Sequence, residues 1–205
     1  MTAAPDTLLV ALHYQNDVLH PDGKIRVGLD AGSPVRERVL AAAQRLLARA
    51  RALDMAIAHV RVAYRPDGAD IIRNAPIFRN VAASGAVAEG SWGAQFHPAL
   101  APDPGRAREF VVKHSRINAF FGSQLEEVLR AAGARRLLVA GVATHSVVES
   151  TVRHAVDMGY EVMVAADACA AADPGAHEAS LRSMGLIAQI LDSAGLEQHF
   201  PLPSP

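Results

Sequence analysis

The feature that most restricts how this chain can fold is an alternation of short apolar runs with segments of helical periodicity. The apolar runs are nearly continuous, which is typical of strands buried on both faces of a parallel sheet. Between the first two runs, Val35, Val39, Ala42 and Leu46 have the spacing of one face of an α-helix. This alternation predicts a three-layer α/β/α fold with a parallel sheet and right-handed crossovers. The predicted strands lie in residues 7–15, 55–64, 109–115, 135–142 and 160–169.

Helix boundaries follow from capping residues. Ser33 and Ser123 are suited to the N-cap position, because a serine hydroxyl accepts a hydrogen bond from a free N–H of the first turn. Gly133 and Gly159 are suited to end helices. The predicted helices lie in residues 33–54, 123–133, 147–159 and 174–193.

Composition excludes several classes of protein. The chain has 205 residues, half of them apolar, and a formal net charge of −1 with histidine neutral. We therefore expect a single domain over residues 1–205 that binds neither nucleic acid nor membranes. The single cysteine, Cys169, excludes a disulfide framework and a cysteine-based zinc site. The first residues form neither a basic leader nor a membrane-spanning segment, so we expect a cytoplasmic protein.

Polar residues follow the predicted strands at their carboxyl ends, where ligands bind in sheets of this kind. Each has a structural alternative: His13 could be a satisfied core histidine, and Lys113 could extend its ammonium group to water. His145 and Ser146 could cap the following helix, and Tyr64 with Arg65 could form a subunit contact. No phosphate-binding loop and no Gly-x-Ser-x-Gly turn is present. The candidate site residues are His13, Gln15, Tyr64, Arg65, Lys113, Arg116, Thr144, His145 and Ser146.

With these motifs assembled, the chain resembles the isochorismatase-like (cysteine hydrolase) superfamily over about residues 6–192. The opening "LLVALHYQNDVLHPDG" is similar to the family's first strand and the loop after it. The stretch from "FVVKHSRINAFF" to "GVATHSVVESTVRHAVDMGYEVMVAADAC" resembles the family's core, and His177 lies where the family has a histidine. The resemblance implies a six-stranded parallel sheet in a Rossmann-like fold without a cofactor.

The resemblance also implies a catalytic triad of aspartate, lysine and cysteine. Carried onto this sequence, the aspartate falls on His13, the lysine on Lys113 and the cysteine on Val147. An alkyl side chain cannot act as a nucleophile, so the cysteine mechanism cannot operate here. The family often has a cis peptide in the turn before the cysteine, which here would join Val142 to Ala143. The family's metal-binding Asp-x-His motif is missing, and we expect no bound metal.

Three interpretations of this altered site remain open. In the first, His13 acts as a general acid on a vinyl ether, although a nearby Lys113 would lower its pKa and oppose that role. In the second, Ser146 is the nucleophile, with His13 or His145 as its base and backbone N–H groups of Ala143 and Thr144 around the substrate. In the third, the chain is an inactive protein that binds a small anion through His13, Lys113, Arg65 and Arg116.

Residues 65–108 contain scattered proline and glycine and no secure strand or helix beyond a short turn. Because connections of this length are uncommon in compact domains, we expect a lid or a subunit interface. The resemblance implies a homo-oligomer, a dimer or tetramer, in which such segments contribute contacts; an internal cap is the alternative. The expected ligand is a small and acidic amide, ureide or vinyl ether.

Overall fold

The structure, a computed structural model, describes residues 6–30 and 32–201. Six parallel strands form one sheet in the order β3-β2-β1-β4-β5-β6. This order reverses direction between β1 and β4, which makes their carboxyl ends the expected ligand-binding edge. The sheet and its direction confirm the predicted fold class. The strands are β1 Thr7–Leu12, β2 Ala56–Val62, β3 Glu109–His114, β4 Arg136–Gly141, β5 Glu161–Ala165 and β6 Gln189–Leu191.

Helices connect the strands on both sides of the sheet. Pro34 begins the longest helix, α2, at the position that its fixed φ favours. Gly133 and Gly159, just beyond α4 and α5, have φ values of +66° and +89°, which suits glycine. The helices are α1 Asn16–Leu19, α2 Pro34–Ala52, α3 Pro76–Ser84, α4 Leu125–Ala131, α5 Glu149–Asp157, α6 Pro174–Met184 and α7 Ser193–His199.

Two regions differ from the sequence-based expectation. Residues 65–108 contain helix α3, a full nine residues, where we expected no more than a short turn. Its only buried member, Phe78, packs in a small separate core with Val62 and Tyr64. Near the C terminus, the predicted helix 174–193 is instead α6, strand β6 and the start of α7. The helix ends at Gly185, and the apolar residues that follow form the edge strand of the sheet.

The main core lies on the two faces of β1, β2, β4 and β5. All six residues of β1 are buried, as are six of the seven in β2. The continuous burial explains why most residues of these strands are apolar. Strand β3, at the sheet edge, instead exposes Val111 and Lys113 and buries Val112 and His114. Among the described residues, no helix has the length and apolar character needed to cross a bilayer.

Candidate active site

A pair of histidines lies at the carboxyl edge of the sheet. His13 follows β1 directly, with a φ of +58°, and its backbone N–H donates to Val60 O at 2.9 Å. Histidine is one of the residues that tolerates this left-handed conformation. His114 is the last residue of β3 and is 1% exposed. Because β2 lies between β1 and β3, the two rings meet over the end of β2, with their Nε2 atoms in hydrogen-bond contact and their centroids 4.7 Å apart.

The ring of His114 has a second hydrogen bond to the backbone, with its Nδ1 3.3 Å from Asn118 O. Two neutral imidazoles carry two N–H groups between them. One N–H can lie between the two Nε2 atoms and the other can donate to Asn118 O, which leaves a lone pair on Nδ1 of His13.

Burial keeps both histidines neutral at physiological pH. Burial, followed by the nearby ring of His114, holds the pKa of His13 well below its usual value. Burial also lowers the pKa of His114 to about 4, although the hydrogen bond to Asn118 acts in the opposite direction. Both shifts have the sign expected for a base moved away from water. Neutral imidazoles can accept a proton, so the pair has the character of a base.

The turn after β4 approaches this pair through Val142. The peptide bond between Val142 and Ala143 is cis, as the resemblance implied. Residues Thr144–Val148 form one wide helical turn, in which the N–H groups of Ser146 and Val148 donate to Ala143 O. Within the described residues, the backbone N–H groups of Ala143 and His145 have no acceptor. Free N–H groups at such a turn can stabilise a developing negative charge on a substrate oxygen.

The base of the turn is held by α6. Thr144 is fully buried, and its Oγ1 lies 2.8 Å from Nδ1 of His177. Ser180, also in α6, donates its hydroxyl to Thr144 O at 3.3 Å and to Glu149 Oε2 at 2.7 Å. Val147 is 2% exposed and packs in the main core. The residues of the turn are thus fixed by packing and hydrogen bonds, and Val147, onto which the resemblance carried the family's cysteine, is an apolar side chain in the core.

Lys113 is not beside His13, where we expected it. Its Nζ lies 2.9 Å from Glu89 Oε2 on the exposed side of β3, and its side chain is 41% exposed. Arg61 of β2 pairs with the same carboxylate at 2.8 Å. The reason is the alternation of side chains along a strand: consecutive residues point to opposite faces. Lys113 therefore faces outward, and its neighbour His114 occupies the place beside His13.

Gln15 and Tyr64 are used structurally. Gln15 is fully buried, and its amide bonds both the N–H and the O of Val62 and also Ala94 O. Tyr64 donates its hydroxyl to Ser115 O at 2.8 Å, and burial raises its pKa to about 12. Both side chains form their hydrogen bonds with the backbone of neighbouring segments and none with the histidine pair, so their role is to hold these segments in place.

The two arginines that we expected to bind a ligand are also engaged. Arg65 is exposed and pairs with Asp67 at 2.6 Å. Arg116 lies over the ring of Phe78, 3.8 Å from its centroid, and donates to Asn74 Oδ1 at 2.9 Å. With Lys113 paired to Glu89, the cations that led us to expect an acidic ligand are all occupied elsewhere.

Ser146 and His145 are not connected to a base. In the described part of the chain, the Ser146 hydroxyl makes no hydrogen bond, and His145 is exposed. A serine nucleophile needs a base within hydrogen-bond reach. The geometry therefore gives the Ser146 interpretation no support.

His114 and Asn118 are the site residues that sequence reasoning missed. The signal was present in "FVVKHS", where Val112 and His114 share one face and Val111 and Lys113 share the other. Which face is buried could be known only once β3 was placed at the sheet edge. No group of three or more His, Cys, Asp or Glu side chains suited to a metal ion occurs in residues 6–30 and 32–201.

Comparison with known proteins identifies the family. The isochorismatase domain model matches residues 7–195. Ureidoacrylate amidohydrolase RutB of Methylobacterium radiotolerans is 30% identical over 217 residues, which cover 97% of this chain and 81% of that protein. RutB of Stutzerimonas stutzeri is 41% identical over 88 residues, which cover 43% of this chain and only 34% of that relative's length.

A solved structure agrees with this assignment at the level of the fold. A cysteine hydrolase from Pseudomonas syringae pv. phaseolicola 1448A has a TM-score of 0.83 and 22% identity, covering 98% of this chain and 95% of that one. The family match extends from the first residue of β1 into α7 and includes both histidines and the turn after β4. The chain belongs to the isochorismatase family of hydrolases.

Proposed function

We propose that this protein hydrolyses a small amide or ureide with a water molecule that the His13–His114 pair activates. The observation that carries the proposal is the contact between the two Nε2 atoms at the carboxyl edge of the sheet, beside a turn with free N–H groups. This base replaces the family's cysteine chemistry, for which Val147 at the corresponding position is unsuited.

His13 is the proposed base, because it is partly exposed whereas His114 is buried. In the reaction, His13 takes a proton from water as the water oxygen bonds to the substrate carbonyl carbon. The proton goes to Nδ1 of His13, while Nε2 of His114 accepts the Nε2–H of His13 and the Nδ1–H of His114 donates to Asn118 O. The proton returns to the leaving nitrogen as the C–N bond breaks.

The lowered pKa values favour a base over an acid. A general acid must carry its proton at working pH, and burial holds His13 and His114 in their neutral forms. Cleavage of a vinyl ether by protonation of a substrate carbon would need the opposite state. We therefore favour the amide or ureide substrates over the vinyl ether.

One relative bears on the substrate class. The proteins named ureidoacrylate amidohydrolase include one that is aligned to 97% of this chain at 30% identity, which supports a ureide. Because Arg65, Lys113 and Arg116 pair with other groups, the proposed substrate is held through its carbonyl and amide groups. Backbone N–H groups of Ala143 and His145 would receive the carbonyl oxygen.

The test is release of ammonia from a panel of ureidoacrylate, N-carbamoyl amino acids and small primary amides. We expect turnover of at least one compound, with His13→Ala and His114→Ala each reducing kcat/KM by about 100-fold or more, the usual range for a general base. Lys113→Ala and Ser146→Ala are matched controls from the neighbouring positions and should stay within about threefold of the parent. Loss of activity in Ser146→Ala with retention in His114→Ala would instead establish a serine mechanism.

A second candidate function is binding of a small molecule without catalysis. The observation in its favour is Val147, whose apolar side chain is packed into the core where the family nucleophile is expected. This alternative predicts no turnover of any panel compound, together with saturable binding of at least one that His114→Ala weakens. Turnover by the parent protein that is lost in both histidine variants would rule out binding without catalysis.

A further inference from the structure

Thr144, in the turn after β4, is bound through each of its polar groups by the part of the chain that runs from the end of β5 into α6. Its N–H donates to Ala170 O at 2.9 Å, and its carbonyl oxygen lies 3.3 Å from Ser180 Oγ. Its Oγ1 lies 2.8 Å from Nδ1 of His177, and the residue is fully buried. The orientation of Thr144 is therefore set by residues 170–180.

The contact with His177 is the stronger of the two side-chain contacts that α6 makes with Thr144. The Ser180 hydroxyl has a single proton, and it also lies 2.7 Å from Glu149 Oε2, a better acceptor than a carbonyl. A threonine hydroxyl can either donate to a ring nitrogen or accept from it, so the bond to His177 forms in every protonation state of the ring. Within the described residues the Thr144 hydroxyl has no other partner, so loss of the imidazole would leave a buried hydroxyl unpaired.

Thr144 lies between Ala143 and His145, whose backbone N–H groups have no acceptor within the described residues. The peptide unit that carries the carbonyl of Thr144 also carries the N–H of His145, and because the unit is planar the two groups turn together. The unit before it carries the carbonyl of Ala143, which accepts from the N–H groups of Ser146 and Val148. A rotation of Thr144 would therefore redirect the N–H of His145 and disturb the bonds that hold Ala143.

We infer that His177 is a positioning residue, whose bond to Thr144 fixes the direction in which the N–H groups of Ala143 and His145 point. The ring acts through Thr144 and not on the substrate. The inference rests on the proposed hydrolysis, in which these N–H groups stabilise the negative charge that develops on the substrate oxygen. Because that charge is larger in the transition state than in the bound substrate, misdirected donors lower kcat more than they raise KM.

The test compares two replacements of His177 that differ only in hydrogen bonding at one position. Asparagine places an amide atom, and leucine a methyl group, where Nδ1 lies, since all three are bonded to Cγ. With a panel compound that the parent protein turns over, we expect His177→Leu to lower kcat about tenfold or more and to change KM by less than about threefold. His177→Asn should keep both constants within about threefold of the parent. Glu178→Leu, which puts leucine at the exposed next position of α6, is the control and should leave both constants unchanged.

A second measurement needs no substrate. The rate at which the Thr144 N–H exchanges with deuterated water shows how firmly the turn is held, because this group is bonded to Ala170 O. We expect exchange to be about tenfold or more faster in His177→Leu and close to the parental rate in His177→Asn. The N–H of Val10, in the middle of β1, is the reference and should exchange at the parental rate in both variants. If the parent hydrolyses no panel compound while this exchange pattern appears, the proposed hydrolysis fails and the anchoring of the turn by His177 stands.

Four results would overturn the inference. The first is equal exchange at Thr144 in the parent and in His177→Leu, and the second is a rise in exchange that is as large at Val10 as at Thr144. The third is a loss of kcat that His177→Asn does not restore. The fourth is an effect of His177→Leu that is confined to KM.

Discussion

At the scale of single residues, close contacts around Asp17 show how strongly one backbone position can be constrained. Asp17 is 2% exposed, and its carboxylate accepts hydrogen bonds from the N–H groups of Lys24 and Val87. Gly93 packs directly against this carboxylate: a Cβ there would lie 2.1 Å from Asp17 Oδ2. Asp17 is thus a structural residue that ties the loop after β1 to residues 87–93.

We expect Gly93→Ala to lower the free energy of unfolding by about 2–3 kcal/mol, because the carboxylate must move and lose a buried hydrogen bond. Urea denaturation measures the change. Gly32→Ala is the control, since nothing lies within 4 Å of a Cβ at that position. An effect of Gly93→Ala no larger than that of the control would show that the contact is relieved at no cost.

At the scale of elements, Glu109 at the start of β3 joins three parts of the chain. Its carboxylate is 1% exposed and binds Arg51 of α2 at 2.8 Å and His59 of β2 at 2.9 Å. Burial alone would raise the pKa of Glu109, but hydrogen bonds from Arg51, the Asp103 N–H and His59 outweigh it and lower the pKa to about 2. The edge strand is therefore attached to its neighbours by charge as well as by backbone pairing.

Glu109→Gln should destabilise the protein by about 3 kcal/mol, because it leaves Arg51 facing a neutral partner in a buried site. The exposed pair of Glu126 and Arg130 on α4 offers the comparison, and Glu126→Gln should cost under about 0.5 kcal/mol. Unfolding by guanidinium chloride would compare the two variants. Equal losses would mean that the Glu109 cluster contributes no more than a surface ion pair.

At the scale of the whole molecule, buried neutral histidines make stability depend on pH. Burial is the main cause of the lowered pKa values of His13, His59 and His114. The unfolded chain then binds more protons than the folded one below the usual histidine pKa of about 6.5, so stability is lost as pH falls from there towards 4. Glu109 contributes to this loss of stability only below its unfolded pKa of about 4.5. Between about pH 6.5 and that value, the loss therefore comes from the histidines.

Between about pH 7.5 and about pH 5, we expect the free energy of unfolding to fall by about 2 kcal/mol from His114 alone, with its folded pKa near 4. His13 and His59 act in the same direction. Urea denaturation at the two pH values gives the change, and His114→Gln should reduce it. If the free energy of unfolding depends on pH to the same extent in His114→Gln, then the pKa of this ring does not differ between the folded and unfolded states.

The pattern of apolar runs was sufficient to predict the fold class and five of the six strands, whereas the cis peptide in the turn after β4 was implied by the family resemblance. Strand β6 was not predicted, because its three residues, Gln189–Leu191, carry too little periodicity to be distinguished from the helix before them. The candidate site described above was named only in part from the sequence: His13 and the turn after β4 were included, while Lys113 was chosen over its neighbour His114. Gln15 and Tyr64 are polar and lie near the site, yet their side chains form hydrogen bonds with backbone groups of the protein.

The sequence by itself determined which segments become buried strands, because a continuous apolar run can be stable only in the interior of a sheet. It also determined that Val147 supplies no nucleophile, since that is a property of the side chain alone. Only the tertiary structure decided that His114 meets His13, because the choice between two adjacent residues depends on which face of β3 is buried. The partners of Lys113 and Arg116 were decided in the same way, since Glu89 and Phe78 come close to them only in the folded chain.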